Sequence, residues 1–382
     1  MKNLLIVFIS LLMASPLLAQ ENYKTLSKED SVKIYAGGET YEVKTYSPSF
    51  KSKKPRNIIF MIGDGMGTSQ VFAGLTANNG HLFLENFKHV GFAKTQSADN
   101  YITDSAAAGT ALSSGYKTYN GAIGVDTDTI PQQTILEKAE NKGLATGLVS
   151  TSAITHATPA SFIAHQPSRN MYEAIAADFL KTDIDVFIGG GYKHFTERED
   201  GKDLTTDLEN NGYTVLRDMN EIESFNSGKL AGLTAAEHNE RAPLRNNMLL
   251  KATDKAIQLL NQNKKGFFLM VEGSQIDWGG HQNNTIYIVE EMLDFDKSIG
   301  KALEFAANDG ETLIVITADH ETGGLAISGG DLSTGAVKGS FTSGGHTAVM
   351  VPVFAFGPGA EQFTGIMENT EIPKKMMKLL GL

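Results

Sequence analysis

The sequence predicts an α/β protein, a three-layer α/β/α sandwich on a mainly parallel central sheet with an inserted cap or loop region. Two observations carry that prediction. Short, almost wholly apolar runs of strand length alternate with amphipathic stretches of helical length. Nearly every apolar run is also followed at once by acidic, histidine or serine residues, which α/β proteins place at the carboxyl ends of their strands.

The amino terminus reads as an export signal. Lys2 gives a positive start, Leu4 to Leu18 form an apolar core broken by Ser15 and Pro16, and Ala19 precedes a polar run. A leader over residues 1–19 and a catalytic domain over 20–382 are therefore expected. That apolar stretch is too short for a stable span, and no later run approaches membrane length. The expectation is an exported protein, periplasmic or secreted, without a membrane span.

Composition narrows the class further. With no cysteine in 382 residues, stability must come from core packing and bound metal instead of disulfides. A formal net charge of −11 excludes a nucleic-acid-binding surface, which needs a basic face. It leaves an anionic substrate open, because divalent cations held by some of the carboxylates would reverse the local field.

Along the chain, the runs 57–62, 146–150, 185–188, 267–271, 312–317 and 351–356 read as strands. The stretches 68–77, 105–113, 134–142, 170–181, 244–261 and 286–307 read as helices. In the last of these, Ile288, Met292, Phe295, Ile299 and Leu303 recur at helical spacing, which is a core stripe. Residues 192–241 are polar and charge-mixed, and read as an insertion over the sheet. Residues 328–345, dense in Gly, Ser and Thr, read as a long loop that delivers His346.

The chemistry sits in the punctuation. Asp64, within Gly63-Asp64-Gly65-Met66-Gly67, can project a carboxylate above the sheet edge, or merely cap the next helix. Ser105 opens a helix of small residues, where an anion can approach the backbone and the positive helix end. A plain capping serine would look the same. No GxSxG elbow surrounds it, so metal coordination is the route left to an activated hydroxyl.

Glu272, Asp277 and His281 follow a buried strand closely; Asp277 and His281 could share a cation, with Glu272 serving a neighbouring one. Gly279 and Gly280 point to a shaped loop there. Adjacent Asp319 and His320 suit zinc, and His346 could complete a site with Asp277 and His281. Glu321 reads as a surface or supporting residue. Thr158 precedes Pro159 and would serve as a helix cap, while Arg169 could grip two oxygens of a tetrahedral anion. Histidines 81, 89, 165, 194 and 238 read as structural or surface residues. Together the clusters imply metal-assisted hydrolysis.

In the order GDGMG, TDSAAAGTA, THATPASFIAHQPSR, VEGSQIDWGGH, TADHETGG and GGHT, these motifs resemble those of the alkaline phosphatases, from about Asn57 to Gly359. The resemblance implies a site of two Zn2+ and one Mg2+. Asp277, His281 and His346 would hold the first zinc, and Asp64, Ser105, Asp319 and His320 would surround the second. Asp64 would also reach magnesium, with Thr158 and Glu272. Ser105 would be the nucleophile, Arg169 the clamp on phosphoryl oxygens and Asp104 its partner.

The implied activity is hydrolysis of phosphate monoesters through a phosphoserine, with broad specificity and an alkaline optimum, in an exported and dimeric protein. Two positions depart from the pattern: His156 and Trp278 stand where well-studied bacterial relatives carry Asp and Lys. A lost carboxylate and a lost lysine are expected to loosen the third metal and bound phosphate. The rival readings are a phosphodiesterase or another hydrolase of the same superfamily, and a non-catalytic exported protein that binds phosphate or metal.

Overall fold

The run Asn57–Gly63 is buried at every position, as a strand covered on both faces must be. Its five central apolar side chains, Ile58 to Ile62, are completely inaccessible to solvent. Each such side chain contributes roughly 1.5–3 kcal/mol of burial, as an upper estimate. The computed structural model describes residues 30–47 and 49–382, and the leader expected over residues 1–19 lies outside them.

Ten strands form the central sheet. In chain order they are β1 (Asn57–Gly63), β2 (His89–Lys94), β3 (Ala145–Ala153), β4 (Val186–Gly190), β5 (Tyr213–Leu216), β6 (Lys229–Leu233), β7 (Phe267–Gly273), β8 (Thr312–Thr317), β9 (Val351–Phe356) and β10 (Gly365–Glu368). In space the order is β10-β2-β9-β8-β1-β7-β3-β4-β6-β5. The strands from β8 to β5 run parallel. Only β9 opposes its neighbours, pairing antiparallel with β8 and β2. β3, β4, β7 and β8 are as fully buried as β1, so helices cover both faces and the three-layer expectation stands.

Register then lines up one edge of the sheet. Ile62 lies opposite Glu272 on one side and Thr317 on the other, and Ser150 lies opposite Glu272. Whatever follows β1 and β8 therefore converges on Glu272. Helix Thr285–Asp309 packs along the sheet through the stripe Ile288, Met292, Phe295, Ile299 and Leu303, all fully buried. Asn284 caps its start by accepting from the Tyr287 N–H, and Gly310 ends it in the left-handed conformation.

Several expectations change. Residues 192–241 supply the last two strands at one end of the sheet, β6 and β5, so this segment extends the sheet as well as covering it. Residues 328–345 are not one long loop: Leu325–Asp331 and Ala336–Phe341 pair as an antiparallel hairpin. Their polar side chains hid the strands, because most of the hairpin faces solvent. Residues Gln275–His281 form a helix and not a shaped loop. A Cβ on Gly279 would lie 2.8 Å from the Ile288 nitrogen, and one on Gly280 would lie 2.7 Å from the Thr322 carbonyl oxygen. Those glycines permit close packing of the helix and do not break it.

A buried ionic cluster fastens the segment after β6. Arg245 reaches Glu291 at 2.5 Å and Asp294 at 2.6 Å, with all three side chains almost fully enclosed. No helix among the described residues is long and apolar enough to cross a membrane.

Candidate active site

Asp64 leaves β1 with its backbone N–H bonded to the Gly273 carbonyl, which seats it beside the end of β7. Gly65 follows at φ +73°, and a Cβ there would press within 2.7 Å of the Asp277 Cα. Only glycine lets the Asp64 turn approach the helix carrying Asp277 so closely. The Gly65 N–H in turn donates to Asp319 at 3.1 Å. Asp64, Glu272, Asp277 and Asp319 are all buried and gathered at one sheet edge.

The electrostatics of that gathering are severe. Burial, reinforced by Asp319, Asp277 and Glu272, holds the Asp64 carboxyl well above the usual carboxylate range. Burial pushes Glu272 up to about 7. Burial would also raise Asp277, but the imidazoles of His281, His346 and His320 outweigh it and hold it low. Asp319 is likewise held low against burial, chiefly by His320 and by the Gly65 N–H.

The histidines are oriented from behind. His281 Nδ1 is 2.8 Å from the Gly344 carbonyl oxygen and His346 Nδ1 is 2.8 Å from the Thr103 carbonyl oxygen. His320 Nδ1 is 3.2 Å from the Thr322 hydroxyl. With a proton on Nδ1 of each ring, every Nε2 presents a lone pair to the carboxylates. His281 Nε2 lies 3.4 Å and His346 Nε2 3.6 Å from Asp277, and His320 Nε2 lies 3.1 Å from Asp319. A proton or a cation between each Nε2 and its carboxylate would satisfy both groups.

Three donor clusters result: Asp277 with His281 and His346, Asp64 with His156 and Glu272, and Asp64 with Asp277 and His320. Within each cluster the donor atoms lie within 4.8 Å of one another. Both Asp64 carboxylate oxygens and Glu272 Oε1 are buried without a hydrogen-bond partner. The other Glu272 oxygen accepts from the Ser150 hydroxyl at 2.6 Å, so half the carboxylate is fixed and half is left for a ligand. Oxygen and imidazole donors in this state fit divalent cations.

Ser105 sits beside this assembly, its hydroxyl 3.2 Å from His320 Nε2. It is the first residue of helix Ser105–Ser114, whose N-cap is Asp104, accepting from the Ala107 N–H. The same carboxylate binds Arg169 at 3.0 Å. Burial would raise the Asp104 carboxyl, but Arg169 and two backbone N–H groups bring it below its ordinary value. Arg169 Nη2 is also 3.3 Å from His156 Nε2, and His156 and Trp278 meet edge to face at 6.4 Å. Thr158 does not cap a helix, since the N-cap of Ala157–Ala160 is His156. The Thr158 hydroxyl is instead buried without a hydrogen-bond partner.

All the residues singled out from sequence thus meet at one edge, and further residues join them. Thr322 donates to Asp277 at 2.5 Å while facing His320, which links two donor clusters through one hydroxyl. Glu321 is buried, not superficial: it accepts from Gln70 and from the Leu325 N–H, and bonds the Thr347 hydroxyl beside His346. Its place next to Asp319-His320 was the available signal. His238 packs its ring on Trp278, and nothing in its sequence surroundings marked it.

Comparison with known proteins agrees with this geometry. The sequence model of the alkaline phosphatase family matches residues 55–340 and 333–382. Alkaline phosphatase 4 of Bacillus subtilis is 35% identical, the match covering 91% of this chain and 94% of that protein. The solved alkaline phosphatase of the Antarctic bacterium TAB5 is 44% identical, with a TM-score of 0.81 over 86% of this chain and 98% of that one. A histidine-to-aspartate variant of the TAB5 enzyme, solved with Mg bound in the M3 site, is 43% identical with the same TM-score of 0.81, over 86% of this chain and 98% of that one. The chain therefore belongs to the alkaline phosphatase family and is a metal-dependent phosphomonoesterase.

Proposed function

We propose that this enzyme hydrolyses a broad range of phosphate monoesters through a phosphoserine on Ser105, releasing inorganic phosphate and an alcohol. The observation that carries this reading is the Ser105 hydroxyl at a helix start, 3.2 Å from His320, which belongs to one of three clusters of donors spaced to hold cations. Asp277, His281 and His346 would hold one Zn2+, and Asp64, Asp319 and His320, with Ser105, a second. Asp64, Thr158 and Glu272 would hold Mg2+. When bound, these ions supply Lewis acidity that lowers the pKa of the nucleophile and offsets charge on the leaving oxygen.

The remaining steps belong to side chains. Ser105 Oγ attacks phosphorus in line with the departing alkoxide, forming the seryl ester as the ester bond to the alcohol breaks. Water then attacks the same phosphorus, returns the serine hydroxyl and yields phosphate. Two in-line displacements give overall retention. Arg169 places its fork on two nonbridging oxygens, and Asp104 keeps that fork aimed. Most of the rate enhancement comes from positioning and charge stabilisation.

His156 adds a nitrogen donor where a carboxylate would complete the magnesium set. The TAB5 variant with an aspartate in place of a histidine binds Mg in its M3 site, which supports reading this site as a weak one in the native chain. The catalytic domain over 20–382, the 192–241 insertion, export to the periplasm or medium, and a homodimeric state complete the proposal.

One experiment tests the core of it. Purified enzyme is supplied with a chromogenic monoester and the matching diester, and Ser105→Ala is assayed beside it with acid trapping of labelled phosphoenzyme. Monoester turnover that depends on Ser105, together with a trapped seryl phosphate, is expected. Faster diester cleavage would point to a phosphodiesterase, and undiminished Ser105→Ala turnover would remove the nucleophile assignment.

A further inference from the structure

His238 belongs to the stretch between β6 and helix Met248–Leu260, far in sequence from every motif residue. The structure brings it to the back of the phosphoryl clamp. Its ring lies 4.8 Å from Trp278 at 73° and 5.6 Å from His156 at 88°. His156 and Trp278 are themselves crossed at 84°. Three rings meeting mutually edge to face restrict one another's planes, because each positive edge points at a negative face.

The His238 ring is itself fixed. Its Nδ1 accepts the Ala153 N–H at 3.0 Å. The next residue, Asn239, donates its N–H to the Thr151 carbonyl and accepts from the Gln275 side chain at 2.8 Å. The preceding turn presses so close to β4 that a Cβ on Gly190 would lie 1.9 Å from the Glu237 carbonyl oxygen. Behind it, Arg245 is locked to Glu291 and Asp294. A rigid element therefore presents one imidazole to Trp278 and His156.

His156 passes that rigidity on. Its Nε2 is 3.3 Å from Arg169 Nη2, while Asp104 holds Nη1 at 3.0 Å. The direction of the guanidinium fork depends on both groups, and the plane of His156 depends on its ring neighbours. We infer that His238 is a positioning residue for the phosphoryl clamp, acting through Trp278 and His156 on Arg169. This deepens the proposed role of Arg169 and rests on it. His238 touches no substrate; it sets the geometry of the group that does.

Trp278 is the sole tryptophan of the chain, so tryptophan emission, excited selectively past the tyrosines, reports this cluster. The test uses metal-loaded enzyme and four variants: His238→Asn, His238→Phe, Arg169→Ala and the Arg169→Ala/His238→Asn double. Asparagine keeps an acceptor for the Ala153 N–H and removes the ring, whereas phenylalanine restores a ring. Emission is recorded with and without inorganic phosphate, and the phosphate inhibition constant and KM are measured.

For His238→Asn the expected results are altered Trp278 emission and phosphate binding weakened by about threefold to tenfold, the scale of aromatic pair contacts. His238→Phe should recover most of that loss. In the Arg169→Ala background, His238→Asn should change phosphate binding no further. An equal loss in both backgrounds, or unchanged phosphate binding beside altered emission, would overturn the inference and leave the clamp intact. Unchanged phosphate binding in Arg169→Ala alone would defeat the clamp reading, and the inference with it.

Discussion

Replacing Thr322 with valine removes a single hydroxyl and keeps the shape of the side chain. That hydroxyl donates to Asp277 at 2.5 Å and stands 3.2 Å from His320 Nδ1, in a fully buried position. A hydrogen bond to a charged group contributes about 1.5–3 kcal/mol. Asp277 belongs to two of the three donor clusters, so most of that loss falls on cation binding. At about 1.4 kcal/mol per factor of ten, metal affinity should fall by roughly 10-fold to 100-fold. The assay is competition for zinc with a chelator of known affinity, followed by elemental analysis of the protein, with Thr322→Ser as the conservative control. Serine should retain most of the affinity. If valine and wild type surrender zinc at the same chelator concentration, the hydroxyl bridge has no part in holding the metals.

Four further outcomes follow from the same structure. Chelation of the metals should lower stability by about 4 kcal/mol if the free ion stands a thousandfold above its dissociation constant, seen as a fall in melting temperature that added Zn2+ reverses; an unmoved transition would contradict it. Arg245→Met leaves Glu291 and Asp294 buried without their cation, so urea denaturation should show a loss of about 3–5 kcal/mol. Burial, then Lys193, lowers the His194 imidazole to about 4 from an ordinary value of 6.5. The unfolded chain therefore binds the proton first, and stability is lost as pH falls between those values, by on the order of 3 kcal/mol; His194→Gln should flatten that slope in unfolding measured from pH 7 to 4.5. His156→Asp combined with Trp278→Lys should tighten inhibition by phosphate and retention of Mg2+, and unchanged inhibition constants would remove the explanation offered for those two residues.

The parts of the molecule that were legible in the sequence share a physical cause. β1, β7 and β8 are buried on both faces, so their sequences are continuous apolar runs, and the charged residue that ends each run stands out. Asp64, Glu272, Asp319 and His320 were found that way. The hairpin 325–341 gave no such signal, because its strands lie mostly in solvent and carry Gly and Ser. Helix Gln275–His281 was hidden by Gly279 and Gly280, whose purpose depends on neighbours remote in sequence, Ile288 and Thr322. Between surface and supporting residue the sequence left Glu321 open, because a carboxylate is expected in water; four donors close around it only after folding. β5 at the sheet edge and β6 beside it are only four and five residues long, so periodicity has little length in which to appear.

Two carboxylates do double duty in the donor clusters: Asp64 belongs to two of them and Asp277 to two. An ion arriving at one cluster neutralises an acid that its neighbour also needs, and fixes the angle at which that acid is presented. Vacancies are therefore correlated along the row. A metal titration of stripped protein should bend as a linked isotherm instead of separating into independent steps.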